Sequence, residues 1–197
     1  MLLKQEKFTL IIVADSGLVL ADRLKIKPDY IVGDFDSVPE AILDRYRNQA
    51  APIETYPREK DQTDTQIAIE LALRNTPSSV TIVGATGSRM DHTLANIHLL
   101  LLLLQREIDA YIVDQNNKLY LKQESFFIEK SAQFGDYVSL LPFGEAVKGL
   151  TLKGFYYPLD NVILSAGSSL GISNEIVEEI AEVEFQEGIL LVMETRD

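Results

Sequence analysis

The sequence predicts a two-part chain. Residues 1–122 read as an α/β domain built on a parallel sheet, and residues 123–197 as a small all-β sandwich. Two observations carry this. Up to about residue 120, short apolar β-rich runs alternate with helix-compatible segments, the pattern of a parallel sheet covered by helices. From Phe126 onward, short strand-like runs follow one another, divided by turn residues and by glycines from Gly135 to Gly188.

The elements follow in order. Phe8–Ala14 is short and apolar and reads as a buried strand. Leu18–Leu24 is helix-compatible. Tyr30–Val32 is a second strand. Val38–Asn48 suits a helix opened near Pro39, since proline is favoured at first helical positions. Pro52–Tyr56 reads as a third strand. A helix is expected from Asp61, with Ile67, Ala68, Leu71 and Ala72 at helical spacing and Asp61 and Asp64 at its positive end. Val80–Val83 and Ala110–Val113 are strands. Between them Leu94, Ile97, Leu101 and Leu104 mark a buried helix. The later strands are expected at Phe126–Ile128, Tyr137–Leu141, Val147–Leu152, Val162–Leu164, Val183–Phe185 and Ile189–Met193.

Composition narrows the function. The 197 residues are 46% hydrophobic and 24% charged, as in ordinary globular domains. Lys and Arg number 18 against 30 Asp and Glu, a net charge of −12, which is a poor match for a nucleic-acid backbone. There is no cysteine, which excludes disulfides, thiolate nucleophiles and Cys-ligated metals. The most apolar stretch, Leu94–Leu104, is far shorter than the ~20 residues of a membrane-spanning helix, and a cytoplasmic location is expected. Only His92 and His98 are histidines, and no nucleophile elbow is present, which argues against a hydrolase triad. His98, set among leucines, reads as structural.

Four turns hold the candidate chemistry. Gly33-Asp34-Phe35-Asp36-Ser37 follows the second strand; in an extended segment Asp34 and Asp36 point to one side, at the edge where α/β sheets bind ligands. Two such carboxylates suit magnesium, and equally suit a polar turn that caps a helix. Asp61-Gln62-Thr63-Asp64 places two acids three apart, beside Arg58 and Lys60 as possible phosphate contacts; N-capping explains the acids as well. Gly84-Ala85-Thr86-Gly87-Ser88-Arg89-Met90-Asp91-His92 joins a strand to a helix whose free N–H groups suit an anion, with Arg89 as a bidentate phosphate ligand. Asp15-Ser16-Gly17 is the fourth turn. Parallel strands are expected to bring Asp15, Asp34, Asp36, Asp64, Arg89 and Asp91 to one edge, where clustered carboxylates suit metal-assisted phosphoryl chemistry.

In this order, Asp15-x-Gly17, Pro28-Asp29 with Gly33-Asp34-Phe35-Asp36-Ser37, Asp61-Gln62-Thr63-Asp64, Gly84-x-x-Gly87-x-Arg89-x-Asp91-His92 and Ser173-Asn174-Glu175 resemble the thiamine pyrophosphokinase family over nearly the whole chain. The resemblance implies an α/β domain with the ATP and magnesium site, a β-sandwich that binds thiamine and dimerises, and transfer of pyrophosphate from ATP to the thiamine hydroxyl with release of AMP. It implies magnesium held at Asp34, Asp36 and Asp64. Arg89 and Asp91 then belong to the ATP site, with Thr63 and Gly87 among the cofactor-binding residues. Gln62 and Asp15 belong to the substrate pocket, and Ser173 and Asn174 to a thiamine site between subunits of a homodimer. Asp15, Asp34, Asp36, Asp64 and Arg89 form the expected catalytic set. The implied partners are thiamine and ATP, with no nucleic acid and no membrane.

The early turn departs from the family pattern: Asp15-Ser16-Gly17-Leu18-Val19 stands where Asp-Gly-Gly-Ala-Asn is frequent. The chain also has no Trp, so any aromatic contact to thiamine comes from Tyr or Phe, or is replaced by Leu170 or Ile172. Two other readings are compatible with some of these residues. Asp34-x-Asp36-x-Val38 also resembles the haloacid-dehalogenase-like phosphatase motif, with Asp34 as nucleophile. The altered Asp15 turn also fits a thiamine- or nucleotide-binding regulator without catalysis.

Overall fold

Apolar runs too short to bury themselves alone must pair. In a computed structural model that describes residues 7–48, 52–55 and 61–197, they do so in two compact units, Met1–Pro77 and Ser78–Asp197. Arg58, Lys60 and the end of the expected third strand at Tyr56 lie outside the described residues.

The first unit holds a three-stranded parallel sheet in the order β1 (Ile12–Ala14), β2 (Tyr30–Gly33), β3 (Ile53–Thr55). Side chains alternate across it. Val13 and Ile31 pack with Leu18 and Ala21 of α1 (Gly17–Leu24) and Leu43 and Tyr46 of α2 (Glu40–Arg47). On the opposite face Val32 packs with Ile67 and Leu71 of α3 (Asp64–Arg74). Burying each such Val, Leu or Ile side chain contributes about 1.5–3 kcal/mol. Arg45 pairs with Asp22 and so ties α2 to α1.

The first strand is shorter than its apolar run, since only Ile12–Ala14 finds a partner strand. The third helix begins at Asp64, later than expected. Thr63, in extended backbone, caps it by accepting a hydrogen bond from the Gln66 N–H at 3.3 Å, and Asp61 lies before the cap.

The second unit continues the β–α alternation for one more step. β4 (Ser79–Val83) pairs parallel with β5 (Asp109–Val113) across α4 (Met90–Leu104). The chain then reverses at Asp114 into β6 (Asn117–Lys122), antiparallel to β5. β6 pairs with β12 (Leu190–Thr195), and β12 with β8 (Tyr137–Pro142), completing a five-stranded sheet ordered β4-β5-β6-β12-β8. A four-stranded antiparallel sheet has the order β10 (Leu159–Leu164), β9 (Val147–Lys153), β11 (Ile180–Glu184), β7 (Phe126–Glu129). Val138, Leu140, Leu190 and Val192 of the first sheet and Val147, Leu150, Leu152 and Val183 of the second share one core.

This is the mixed α/β and β-sandwich architecture the sequence predicts, with three corrections. β4 pairs within the second unit's sheet and is not part of the β1–β3 sheet, so the four turns do not follow strands of a single parallel sheet. β6 was not anticipated; it joins β5 to β12 in the five-stranded sheet. The leucine-rich helix forms as expected, but Asn96, Leu100 and Leu103 face inward while Leu94 is exposed.

One charged group sits inside the sandwich. Glu194 is 2% exposed; its Oε2 accepts the Phe134 N–H at 2.6 Å and its Oε1 accepts from Lys118 Nζ at 3.1 Å. Lys118 also lies over the rings of Tyr111 and Tyr120. Burial, then the charge and hydrogen bond of Glu194, push the Tyr120 phenol well above its usual range.

Candidate active site

At the ends of β1 and β2, the chain gathers three carboxylates. One oxygen each from Asp15, Asp34 and Asp36 lie within 4.8 Å of one another. Asp15 follows β1 with a φ of 41°; its N–H donates to the Val32 carbonyl at 2.8 Å, and its own carbonyl accepts from Leu18 as α1 begins.

Asp34 and Asp36 converge by a route other than strand alternation. Phe35, between them, has a φ of 61° and is buried in the first unit's core. The Asp36 N–H donates to Asp34 Oδ1 at 3.1 Å, closing a local turn, and Ser37 Oγ donates to Asp36 Oδ1 at 2.9 Å. The buried ring fixes the left-handed residue, and that residue turns both acids to one place.

Burial raises the proton affinity of Asp15 above that of an ordinary carboxylate. A backbone hydrogen bond at Ser16 opposes this, and the charges of Asp64, Asp34 and Asp36 raise it further. Asp15 Oδ1 is buried with no hydrogen-bond partner among the described residues. A repelling group of hard oxygen donors that includes an unsatisfied buried oxygen fits a magnesium ion, which would supply the missing contact. Asp64 acts on Asp15 through its charge but is not one of the three oxygens brought together.

Close to Asp64 in the sequence, Gln62 Nε2 donates to Glu70 Oε1 at 2.6 Å, and Gln66 Nε2 to the same oxygen at 3.1 Å. Thr63 serves as the cap of α3.

The glycine-rich turn after β4 is internally tied. The Gly87 N–H donates to Thr93 Oγ1 at 3.3 Å, and Thr93 donates onward to the Arg89 carbonyl. Arg89 and Asp91 form a two-pronged pair, Nη2–Oδ2 2.6 Å and Nε–Oδ1 3.2 Å, with both side chains well exposed. The hydrogen bonds from Arg89 and from the His92 N–H hold the Asp91 carboxyl below its usual range. An exposed guanidinium with its fork already aligned to an oxyanion can exchange that partner for a phosphate. His98 is exposed and stands edge-on to Phe143.

Ser173, at a φ of 54°, donates its N–H to Ser139 Oγ. Asn174 is buried; its Oδ1 accepts from the Tyr157 and Glu175 N–H groups and its Nδ2 donates to the Tyr157 carbonyl. Its side chain fixes the Tyr156–Tyr157 loop, and both tyrosine rings are exposed.

Three residues escaped the sequence reading: Phe35 as the anchor of the acidic turn, Asn96 and Asp114. Asp114-Gln115-Asn116-Asn117 after a strand is the composition of a side-chain-capped turn, which was the available signal.

An α/β unit that gathers carboxylates where strands give way to helices, followed by an arginine-bearing loop and a β-sandwich, defines an enzyme of the phosphoryl-transfer class. Comparison with known proteins makes this specific. Residues 2–112 match the family model "Thiamin pyrophosphokinase, catalytic domain", and residues 125–190 match "Thiamin pyrophosphokinase, vitamin B1 binding domain". The chain belongs to the thiamine pyrophosphokinase family. It is 35% identical to thiamine pyrophosphokinase of Bacillus subtilis (strain 168), over 98% of this chain and 90% of that protein. The crystal structure of thiamine pyrophosphokinase from Bacillus subtilis superimposes with a TM-score of 0.90 at 36% identity, covering 98% of this chain and 91% of that one. That of Geobacillus thermodenitrificans gives 0.86 at 33% identity, covering 100% and 91%. The yeast enzyme, at 20% identity and a TM-score of 0.79 over 94% of this chain and 78% of that one, shares the fold.

Proposed function

We propose that this chain is a magnesium-dependent ATP:thiamine diphosphotransferase, moving the terminal diphosphate of ATP onto the thiamine hydroxyl. The observation that carries the reading is the Asp15–Asp34–Asp36 cluster in a chain whose two halves match the two thiamine pyrophosphokinase models. The family favours this over a phosphatase or a non-catalytic regulator.

Asp15, Asp34 and Asp36, supported by the charge of Asp64, would hold magnesium, which offsets phosphate charge when bound. The thiamine oxygen attacks the β-phosphorus of ATP, the bond from that phosphorus to the α,β-bridging oxygen breaks, and AMP leaves. A carboxylate of the cluster receives the hydroxyl proton. Arg89 turns its fork from Asp91 to a phosphate, and Gly87 and Asp91 shape the nucleotide loop around it. Gln62 and Thr63 contribute from the start of α3.

The α/β part, residues 1–122, is assigned ATP and magnesium, and residues 123–197 are assigned thiamine and dimerisation. Ser173 and Asn174 belong to the thiamine site, Asn174 by holding the Tyr156–Tyr157 loop. Exposed Tyr156, Tyr157, Leu170 and Ile172 support a homodimer in which a second copy covers them. We place the enzyme in the cytoplasm; among the described residues no helix is long and apolar enough to cross a membrane.

The test is to incubate the protein with thiamine, ATP and magnesium and resolve the products by liquid chromatography and mass detection. Thiamine diphosphate together with AMP is the expected outcome. Thiamine monophosphate with ADP overturns the choice of phosphorus, and absence of turnover overturns the enzymatic reading.

A further inference from the structure

The loop that carries Gly87, Arg89 and Asp91 is braced from behind by residues with no assigned part in the reaction. Its buried Ala85 carbonyl accepts from Asn96 Nδ2 of α4 at 2.8 Å. Its Thr86 hydroxyl donates to Asp114 Oδ2 at 2.7 Å, across 28 residues of sequence. Asp114 is itself immobilised. Its Oδ1 accepts the Asn116 N–H at 2.8 Å, the Asn117 N–H at 2.8 Å and Asn117 Nδ2 at 2.9 Å. That leaves Oδ2 aimed at Thr86, sharing only a longer contact with Asn117 Nδ2 at 3.1 Å.

The turn is then clamped by the residue that follows β12, the strand next to β6. The Arg196 N–H donates to the Asn116 carbonyl at 3.0 Å, Asn116 Nδ2 donates to the Arg196 carbonyl at 3.1 Å, and Arg196 Nε donates to the Gln115 carbonyl at 3.1 Å. The Arg196 guanidinium also lies 4.4 Å from the Phe134 ring centre. A carboxylate whose acceptor sites are filled by backbone and amide donors is a rigid fixture, and a hydrogen bond to a charged acceptor is among the stronger ones.

We infer that Asp114 is a positioning residue for nucleotide binding: it sets the Arg89 loop through the Thr86 hydroxyl, and Arg196 holds the turn that holds Asp114. The inference rests on assigning ATP to that loop. Serine at position 86 keeps the donor, whereas valine has the same shape without it. At position 114, asparagine would present an amide in place of one oxygen and face the Asn117 donors or the Thr86 hydroxyl with N–H groups. Arg196 is tied to Gln115, Asn116 and the Phe134 ring.

The experiment measures steady-state KM for ATP and for thiamine, kcat, and binding of a non-hydrolysable ATP analogue, on Thr86→Val, Thr86→Ser, Asp114→Asn and Arg196→Ala, with melting temperature alongside. We expect Thr86→Val and Asp114→Asn to raise the ATP KM and the analogue Kd by about tenfold or more, the loss of one hydrogen bond to a charged group. The thiamine KM should stay unchanged, and Thr86→Ser should restore ATP affinity. Arg196→Ala should move the same two constants by a smaller factor. Because a brace acts as one unit, Thr86→Val combined with Asp114→Asn should cost no more than either alone. Lowered melting temperatures with unchanged ATP constants overturn the proposal, as do additive losses. If the unaltered protein binds the analogue but forms no thiamine diphosphate, the enzymatic reading fails while the Kd series still decides the brace. If it binds no analogue, the nucleotide assignment and this inference fall together.

Discussion

A β-carbon built on Gly33 would lie 3.1 Å from both the Cα and the backbone nitrogen of Asp15. Gly33 also has a φ of 149°, which side chains rarely adopt. The last residue of β2 is therefore bare because the first acidic residue of the site passes directly against it. Gly33→Ala is expected to cost about 1–3 kcal/mol of stability, as for other strained backbone positions. Because the displaced neighbour is Asp15, thiamine diphosphate formation should fall by more than the melting temperature implies. Thermal unfolding and turnover on the same preparation would check this.

Asp36→Asn should lower turnover by about a hundredfold or more while leaving the melting temperature unchanged or higher, since one of three repelling carboxylates is removed. Magnesium should raise the melting temperature of the unaltered protein in proportion to the logarithm of its concentration, and a chelator should reverse the rise. Asp36→Asn should blunt that response. A variant with near-normal turnover and an undiminished magnesium response would remove Asp36 from the site.

The Lys118–Glu194 pair should matter to folding and not to chemistry. Glu194 is nearly inaccessible and Lys118 is partly exposed. Lys118→Ala strands a buried carboxylate, and about 3–5 kcal/mol of destabilisation is expected. Glu194→Gln, which keeps an acceptor for the Phe134 N–H, should cost less. Denaturant unfolding midpoints of the two variants give the comparison directly.

Stability toward acid should depend on Asp114. Burial alone would raise its carboxyl, but the hydrogen bonds from Thr86, Asn116 and Asn117 outweigh that and hold it below the usual range. A carboxyl depressed on folding contributes stability that is full above the unfolded value of about 3.9 and is lost as pH falls through the lower folded value. The free energy of unfolding should therefore fall less steeply with falling pH in Asp114→Asn. Equal slopes for the two proteins between about pH 5 and pH 2 would contradict the assignment.

The sequence disclosed the alternation of elements and the acidic turns because both are local signals. Ile67, Ala68 and Leu71 repeat at helical spacing, and the Gly33–Ser37 acids crowd into five residues. What it hid depends on partners distant in the chain. The long leucine run carries apolar residues on nearly every side, so its periodicity could not choose between Leu94 and Leu100 as the inward face. The convergence of Asp34 and Asp36 was legible but its cause was not, because a left-handed phenylalanine is specified by the core that seals its ring and not by propensity. Thr86 and Asp114 show nothing of their pairing across 28 residues. The Asp15–Val19 departure leaves Leu18 fully buried within α1, so at least one of the altered residues is committed to packing.

The position of β12 has a consequence for biosynthesis. Its residues, Leu190–Thr195, lie between β6 and β8, hydrogen-bonded to both, although those strands are made much earlier. While the chain is emerging from a ribosome, β6 and β8 each present an open edge flanking a gap that no earlier segment fills. The parallel β1–β3 unit, by contrast, has all its strands by Thr55. The sandwich thus cannot close until Leu190–Thr195 has been made, and until then the open edges of β6 and β8 are exposed to mispairing.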